Sequence, residues 1–299
     1  MTAEPALCVR GLSKAFDGTT VLDGVDLDVP AGEVTLLMGE NGSGKTILLS
    51  CLADGLRPTG GSVSVFGSPP AEARSSLSFM LQGGLLFPDL TGRENAEFYA
   101  DLHPRESDWT PVAERFGIAD DLDDPVKNYS GGMVRKLELA VALGVDVPLY
   151  LLDEPTAELD LSSIDLLHAL IDEKRRDGAT AVLSSHTPAD VGIADRLAFV
   201  RDGAVVVTGP PEALLEKVPD VAFARTREVA DGLREHLLEG QLFLSHEGRR
   251  GFVPPDTSPD VLPSDASLAD PSWTDLFNYY THLDLSVADR ESRERTPRA

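Results

Sequence analysis

The 299-residue sequence predicts an α/β protein in which a mostly parallel sheet is covered by helices on both faces. Two patterns predict this class. An apolar segment at residues 33–38 runs into a glycine-rich stretch and then into an apolar helical periodicity at 47–53. From Leu149 onward, short apolar runs alternate with segments of helical length. With 42% hydrophobic residues, the chain can bury a sizeable core.

The first third of the chain predicts an N-terminal antiparallel β subdomain. Residues 7–12 and 21–29 alternate apolar with polar side chains and flank an Asp17-Gly18 turn, which is the pattern of a β-hairpin. Further strands are predicted at 62–66 and 77–81, after the glycine-rich stretch.

A helical subdomain is predicted from about residue 91 to residue 145, interrupted by an acidic loop at 120–125. Thr91 and Glu94 have the spacing of a capping box that opens its first helix. Strand and helix then alternate again, with a strand at Leu149–Leu152, a helix at 164–176, a strand at 180–184 and a hairpin turning at Asp202-Gly203.

The pattern weakens beyond about residue 210. A helix at 227–238 and weak strands at 242–245 and 251–253 precede a segment rich in Pro, Asp and Ser. We therefore predict a main domain at 1–215 and a small C-terminal accessory region at 216–285. The charged stretch 286–299 is expected to be a disordered tail.

Charge and composition exclude several classes of protein. The chain carries 50 acidic and 26 basic side chains, a net charge of −24, which argues against binding to nucleic acids or anionic lipids. One hypothesis is adaptation to a salt-rich cytosol; a coding bias with an unremarkable acidic surface is the alternative. No run approaches the roughly 18 apolar residues of a membrane span, and no signal peptide is evident, so a cytoplasmic location is expected.

The glycine-rich stretch has the P-loop pattern, in which two glycines four residues apart are followed by Lys and Thr. Its backbone amides can surround a phosphate, a lysine can reach the terminal phosphates, and a threonine hydroxyl can bind Mg²⁺. The nucleotide-binding residues predicted here are Gly39, Glu40, Asn41, Gly42, Ser43, Gly44, Lys45, Thr46 and Ile47.

A second element supplies carboxylates. The apolar strand Leu149–Leu152 ends in Asp153 and Glu154, which places both acids at the carboxyl end of a buried strand. Asp153 is expected to hold the Mg²⁺ shell, and Glu154 to orient or deprotonate the water that attacks the γ-phosphate.

At this point the chain resembles the ATP-binding subunit of an ABC transporter. The deciding residues are Asn128-Tyr129-Ser130-Gly131-Gly132-Met133, which are similar to the family's signature and precede the Asp-Glu strand. The resemblance implies that Ser130, Gly131 and Gly132 close on the γ-phosphate held by another subunit's P-loop. It implies a dimer, most simply a homodimer, in which one chain cannot complete its own active site.

Four further positions match the family one by one. The resemblance implies that Phe16 stacks on adenine and that Gln82 contacts Mg²⁺ and relays to the membrane domain. It also implies that Asp160 lies in a loop crossing between subunits and that His186 touches the γ-phosphate. Packing in the hairpin for Phe16, a polar strand end for Gln82 and a surface position for His186 are the alternatives. The resemblance covers residues 7 to about 210 in order.

Departures from the usual signature, together with neighbouring segments, suggest one branch of the family. Tyr129 and Met133 stand where Leu and Gln are usual, but the run 137–140 and the segment 85–95 are similar to the branch serving drug and other small-molecule exporters. Residues 271–277 are similar to a C-terminal motif of that branch; an amphipathic helix closing the accessory region is the alternative.

These observations predict a P-loop ATPase that binds ATP with Mg²⁺, dimerises on two nucleotides and powers export through separate transmembrane permease subunits. The catalytic residues are expected to be Lys45, Gln82, Glu154 and His186, and the metal residues Thr46, Gln82 and Asp153. The protein would sit at the cytosolic face of the membrane, held only through the permease near residues 82–89. An importer subunit is one alternative, and an ABC ATPase acting on DNA or ribosomes is another.

Overall fold

A computed structural model describes residues 5–83 and 86–283 of the chain. These residues form two compact units that divide between Val206 and Val207. The predicted division at residue 215 stays a prediction, and the tail predicted at 286–299 lies outside the described residues.

The first unit contains two sheets and five helices within its described residues. Its strands are β1 (Leu7–Phe16), β2 (Thr19–Val29), β3 (Val34–Met38), β4 (Gly60–Val65), β5 (Leu77–Met80), β6 (Leu149–Leu152), β7 (Thr180–Ser185), β8 (Arg196–Arg201) and β9 (Ala204–Gly209), the last running past Val206. Its helices are α1 (Lys45–Leu52), α2 (Gly92–Leu102), α3 (Thr110–Arg115), α4 (Gly131–Gly144) and α5 (Leu161–Arg176).

The antiparallel subdomain predicted at the N-terminus is confirmed. Strands β1, β2 and β4 form a sheet in the order β2-β1-β4, with both pairs antiparallel. Asp17 and Gly18 connect β1 to β2 with positive φ angles of 48° and 84°, the geometry of a two-residue hairpin turn. Buried side chains such as Leu7, Val9 and Leu22 pack from this sheet onto α1.

The parallel sheet predicted for the rest of the unit is also confirmed. Its six strands follow the order β5-β6-β7-β3-β8-β9, and β5 through β8 pair in parallel. β9 returns beside β8 through the Asp202-Gly203 turn, where both φ angles are positive. Because β6, β7 and β3 are neighbours, the segments that follow them meet at one edge of the sheet.

Helix starts follow local capping. Thr91 and Glu94 form the predicted capping box of α2, with both reciprocal hydrogen bonds present. Helix α5 begins at Leu161, earlier than predicted, because the Asp160 carboxylate accepts a hydrogen bond from the Ser163 amide at 2.8 Å and caps it. No helix among residues 5–83 and 86–283 is both long and apolar enough to cross a bilayer.

The second unit contains more regular secondary structure than the sequence predicts. Its elements are α6 (Pro211–Leu215), β10 (Val221–Ala224), α7 (Arg227–Leu233), β11 (Phe243–Ser245), β12 (Gly248–Phe252), β13 (Ala266–Ala269) and α8 (Trp273–His282). The strands form an antiparallel sheet in the order β11-β12-β10-β13.

Two predictions for this unit are wrong in detail, and two strands were not predicted. The helix predicted at 227–238 ends at Leu233, because 3₁₀ turns follow and Glu239 adopts a φ of 54°. The strand predicted at 251–253 occupies Gly248–Phe252 instead. Strands β10 and β13 were not predicted, since four-residue strands are specified by their pairing rather than by a local pattern.

Residues 271–277 contribute to α8, which packs within the second unit. Ser272 and Asp275 form a capping box, and the buried Asp275 carboxylate also accepts hydrogen bonds from Arg250 at 2.7 and 3.0 Å. Tyr279 lies edge-on to Phe252. The segment is therefore an amphipathic helix that closes this unit, which was one of its two interpretations.

Candidate active site

The P-loop connects the end of β3 to the start of α1, and its glycines are required by geometry. A Cβ on Gly39 would lie 2.2 Å from the Val200 carbonyl oxygen, and one on Gly44 would lie 2.8 Å from Leu22 Cδ2. Gly44 also has a φ of 107°, which disfavours residues with a side chain. The chain therefore reaches Lys45 through a backbone path that side chains would obstruct.

Lys45 is the first residue of α1, and its side chain folds back over the loop. Its Nζ donates hydrogen bonds to the carbonyl oxygens of Gly39 at 2.8 Å and Glu40 at 3.0 Å. Burial lowers the pKa of Lys45, while the carboxylates of Glu154 and Asp153 act in the opposite direction. A buried cation that donates to carbonyl groups of the loop is positioned to bind an anion that enters the loop.

Asp153 and Glu154 follow β6 and share Ser184 of β7 as a partner. The Ser184 hydroxyl donates to Asp153 Oδ1 at 2.5 Å and accepts a hydrogen bond from the Glu154 amide at 2.8 Å. Asp153 is fully buried, so Ser184 sets the orientation of its carboxylate. Sequence reasoning missed Ser184; a serine at the end of an otherwise apolar strand was the available signal.

Three predicted catalytic residues meet around one carboxylate. Gln82 Nε2 donates to Glu154 Oε2 at 2.8 Å, and His186 Nδ1 lies 3.3 Å from Glu154 Oε1. Glu154 is 8% exposed and has a φ of 47°, a conformation that costs a non-glycine residue energy. Such strain at a residue held from both sides is typical of functional positions.

Two buried polar atoms test whether this site fits a nucleotide with its metal ion. Ser43 Oγ in the P-loop and Asp153 Oδ2 have no hydrogen-bond partner within residues 5–83 and 86–283. Leaving such atoms unpaired is unfavourable unless a ligand satisfies them. A phosphate oxygen suits the serine hydroxyl, and Mg²⁺ with its water shell suits the carboxylate, so the residues fit Mg²⁺ with a nucleotide.

A cleft of about 380 Å³ joins these elements. Apart from Val21, its lining consists of eight residues predicted for the site, which are Asn41, Gly42, Gly44, Lys45, Thr46, Ile47, Gln82 and Glu154. The P-loop, Gln82 and Glu154 therefore face one space.

The signature residues lie elsewhere. Ser130, Gly131, Gly132, Asp160 and Phe16 are not among the residues that line the cleft. The Ser130 hydroxyl caps α4 by accepting a hydrogen bond from the Met133 amide at 3.2 Å. Phe16 is 40% exposed, with Lys14 Nζ 4.7 Å from its ring centroid. Their predicted contacts with a nucleotide stay predictions.

Asp160 and Glu158 occupy the loop before α5. Hydrogen bonds from Ser162 and Ser163 hold the pKa of Asp160 well below its ordinary value. Glu158, which was not singled out in the sequence, has a φ of 64°, and its Oε2 would lie 2.2 Å from a Cβ on Gly131. A carboxylate of the same chain thus lies directly against the start of α4.

Fold and site together define a P-loop nucleotide-binding protein. A family model described as "ABC transporter" matches residues 22–157. The daunorubicin/doxorubicin resistance ATP-binding protein DrrA of Streptomyces peucetius is 36% identical over 70% of this chain and 67% of its own length. The nickel import ATP-binding protein NikO of Rhodobacter capsulatus is 34% identical over 76% of this chain and 98% of its own length. This chain belongs to the ABC transporter family of ATP-binding proteins.

A longer relative and a solved structure are also similar to this chain. The ribose import ATP-binding protein RbsA 3 of Rubrobacter xylanophilus is 32% identical over 71% of this chain, which spans only 46% of that protein. A solved ATP-binding subunit of an ABC transporter is 25% identical, with a TM-score of 0.66 over 71% of this chain and 92% of that one. Membership makes the cassette an ATPase domain that uses ATP with Mg²⁺.

Proposed function

We propose that this chain is the ATP-hydrolysing subunit of an ABC exporter, which works as a dimer and drives separate transmembrane permease subunits. The observation that carries the hydrolytic part is the convergence of Gln82 and His186 on the Glu154 carboxylate, opposite Lys45 across one cleft. Dimerisation, permease partners and export are the parts that require experiment.

The chemistry follows from the residues present. ATP with Mg²⁺ supplies the γ-phosphate that water attacks. Lys45 and the P-loop amides hold the phosphates, while Thr46 and Asp153 would hold the metal ion. Glu154 accepts the proton of the attacking water, and Gln82 and His186 orient its carboxylate from either side.

A second subunit would complete the site. Ser130, Gly131 and Gly132 stand at the start of the 14-residue helix α4, where backbone amides attract anions, yet they do not line this chain's cleft. In a symmetric dimer, the signature of each chain would contact the P-loop of the other chain. This arrangement accounts both for the anion-attracting start of α4 and for its absence from this chain's own cleft. We propose a homodimer, since one chain carries both halves of the composite site.

An apolar cavity supports a protein partner next to Gln82. Its volume is about 440 Å³, and it lies between β5, the segment that follows it, α2 and α4. Apolar side chains dominate its lining, among them Leu77, Met80, Leu86, Leu102 and Val141. We propose this cavity as the docking site of the permease, through which the protein would be held at the cytosolic face of the membrane. Occupancy there could act on Gln82, whose side chain bonds Glu154.

The direction of transport is inferred from sequence similarity. The segments resembling small-molecule exporters and the 36% identity with DrrA favour export. RbsA and NikO are named as import ATP-binding proteins, and their similarity favours import, which is therefore the second candidate. The net charge of −24 disfavours the alternative of an ABC ATPase working on nucleic acids.

The Glu154→Gln variant tests the hydrolytic proposal. We expect it to bind ATP and accumulate as an ATP-bound dimer while turnover falls by at least about a hundredfold, because the amide cannot accept the proton. Phosphate release and size-exclusion chromatography with ATP measure the two effects. Unchanged turnover would remove Glu154 from the base role.

Direction is tested in membranes. The protein is produced with its permease and enriched in inside-out vesicles, and daunorubicin serves as the first fluorescent probe. Export predicts ATP-dependent uptake into inside-out vesicles that is lost with Glu154→Gln. Uptake only into right-side-out vesicles loaded with ATP would establish import instead.

A further inference from the structure

A buried polar cluster lies beside the cleft and takes no part in the chemistry described above. At its centre is Asp190, which is 2% exposed. Its Oδ2 accepts hydrogen bonds from Ser185 Oγ at 2.5 Å and Thr156 Oγ1 at 3.0 Å. His168 Nε2 lies 3.3 Å from its Oδ1. A carboxylate is buried this deeply only where several donors converge on it.

Each partner of Asp190 belongs to a segment that carries a site residue. Ser185 ends β7 and directly precedes His186. Thr156 follows Glu154 by two residues and lies in the loop that leads to Asp160. His168 lies on α5, the helix that Asp160 caps. One carboxylate therefore connects the three chain segments that present His186, Glu154 and Asp160.

The contact with Ser185 fixes the backbone on both sides of His186. Besides donating to Asp190, the Ser185 hydroxyl accepts a hydrogen bond from the Thr187 amide at 2.9 Å. The His186 side chain is 46% exposed and contacts the Glu154 carboxylate. Its position thus depends mainly on the backbone that Ser185 and Asp190 hold.

The electrostatics agree with an ionised acceptor. Burial alone would raise the pKa of Asp190, but His168 and the hydroxyls of Ser185 and Thr156 together hold that pKa below its ordinary value. The carboxylate therefore remains charged in the folded protein and keeps both hydroxyl groups as donors.

We propose that Asp190 is a positioning residue for ATP hydrolysis. It holds the segment bearing His186 against the loop that follows Glu154, so that both segments keep a fixed position relative to the γ-phosphate. This inference rests on the proposed roles of Glu154 and His186. It adds a residue, and a link between two site loops, that the family resemblance did not supply.

The experiment compares Asp190→Ala with Asp195→Ala. Asp195 lies further along the same segment, before β8, and accepts a hydrogen bond from the Val34 amide, but its partners lie away from both site loops. We expect Asp190→Ala to lower kcat by about tenfold or more with little change in KM for ATP, because displaced catalytic groups slow chemistry while Lys45 and the P-loop still bind. Asp195→Ala should change kcat less than twofold.

Two further variants separate positioning from stability. Asp190→Asn keeps an oxygen that can accept from Ser185 and Thr156, and we expect it to retain most of the kcat. Thr156→Val keeps the shape of the side chain and removes one donor, so it tests the same link if Asp190→Ala does not fold. All rates are expressed per nucleotide-binding site, and melting temperatures are measured in parallel.

The outcomes are distinct. A loss of kcat in Asp190→Ala and Thr156→Val, restored in Asp190→Asn, supports the positioning role. A lower melting temperature with kcat per site unchanged in both overturns it. Glu154→Gln is assayed beside them: if that variant also hydrolyses normally, the proposed active site itself fails, whereas normal rates confined to the Asp190 and Thr156 variants refute only this inference.

Discussion

The cleft and the signature region of this cassette differ in how their polar groups are satisfied. Beside the cleft, Ser43 Oγ and Asp153 Oδ2 are buried with no hydrogen-bond partner among the described residues, and Lys45 donates to the carbonyl oxygens of the loop. In the signature region, Ser130 caps its own helix and Glu158 lies against Gly131.

This difference indicates two kinds of binding surface. Unpaired buried atoms next to a P-loop indicate a site already shaped for a ligand, since desolvating them without a partner is unfavourable. A region whose groups are satisfied within the chain must exchange those contacts when it takes part in a composite site. The predictions below test this difference, beginning with the largest effect.

Asp153→Asn should abolish the metal part of the cleft. The unpaired Oδ2 loses its charge, so we expect Mg²⁺-dependent turnover to fall by at least about a hundredfold, while ATP binding without Mg²⁺ changes little. Turnover across a Mg²⁺ titration and equilibrium ATP binding measure this. Ser184→Ala, which removes the hydroxyl shared by Asp153 Oδ1 and the Glu154 amide but leaves both carboxylates in place, should show a smaller loss. Turnover above a tenth of the wild-type rate in Asp153→Asn would contradict the assignment.

Mixing two inactive variants tests whether the signature works on another chain's cleft. Lys45→Ala lacks a working P-loop, and Ser130→Ala lacks the signature hydroxyl at a capping cost of about 1 kcal/mol. In a mixed dimer one composite site is intact, so random mixing should restore about a quarter of wild-type turnover. Each variant alone is the control. A mixture that stays inactive would count against independent sites formed between subunits.

Glu158→Gln should ease the closing of the signature on ATP. The Glu158 carboxylate lies where a phosphate is predicted to approach, and removing an exposed like charge is worth about 1 kcal/mol or less. We expect the protein concentration for half-maximal ATP-driven dimerisation to fall by up to about fivefold, measured in the Glu154→Gln background to prevent turnover. Asp120→Asn removes an equal, exposed charge remote from this helix start; an identical shift in both variants would exclude a local effect.

Salt should act on the surface more than on the cleft. Self-repulsion of a chain with net charge −24 is screened as ionic strength rises, so we expect the melting temperature to increase by several degrees between about 0.1 and 2 M KCl. The KM for ATP should change less, because buried amides and Lys45 set the field in the cleft. Differential scanning calorimetry measures the first quantity, and a flat or falling melting temperature would refute the halophilic hypothesis.

The local motifs and the short strands of this protein were predictable from the sequence to different degrees. Three features each occupy consecutive residues and could therefore be recognised in the sequence: the hairpin at Asp17-Gly18, the P-loop and the Asp153-Glu154 strand end. Strands β10 and β13 were not, because four residues carry too little periodicity and become strands through pairing with each other.

Partnerships within the site were equally hidden. Ser184 follows Asp153 by 31 positions, and Asp190 follows Thr156 by 34. No local sequence pattern around these residues predicts either contact. Each depends on β7 lying beside β6, which brings their carboxyl ends to one edge of the sheet.

By itself, the sequence determined the P-loop and the acidic strand end, because glycine at positive φ and apolar strands ending in acids are local backbone properties. It also determined the surface charge. The tertiary structure alone decided which carboxylate oxygen remains unpaired, which hydroxyls hold Asp153 and Asp190, and that Glu158 lies against Gly131. Burial and hydrogen-bond partnership depend on how distant segments pack, and no local pattern specifies that packing.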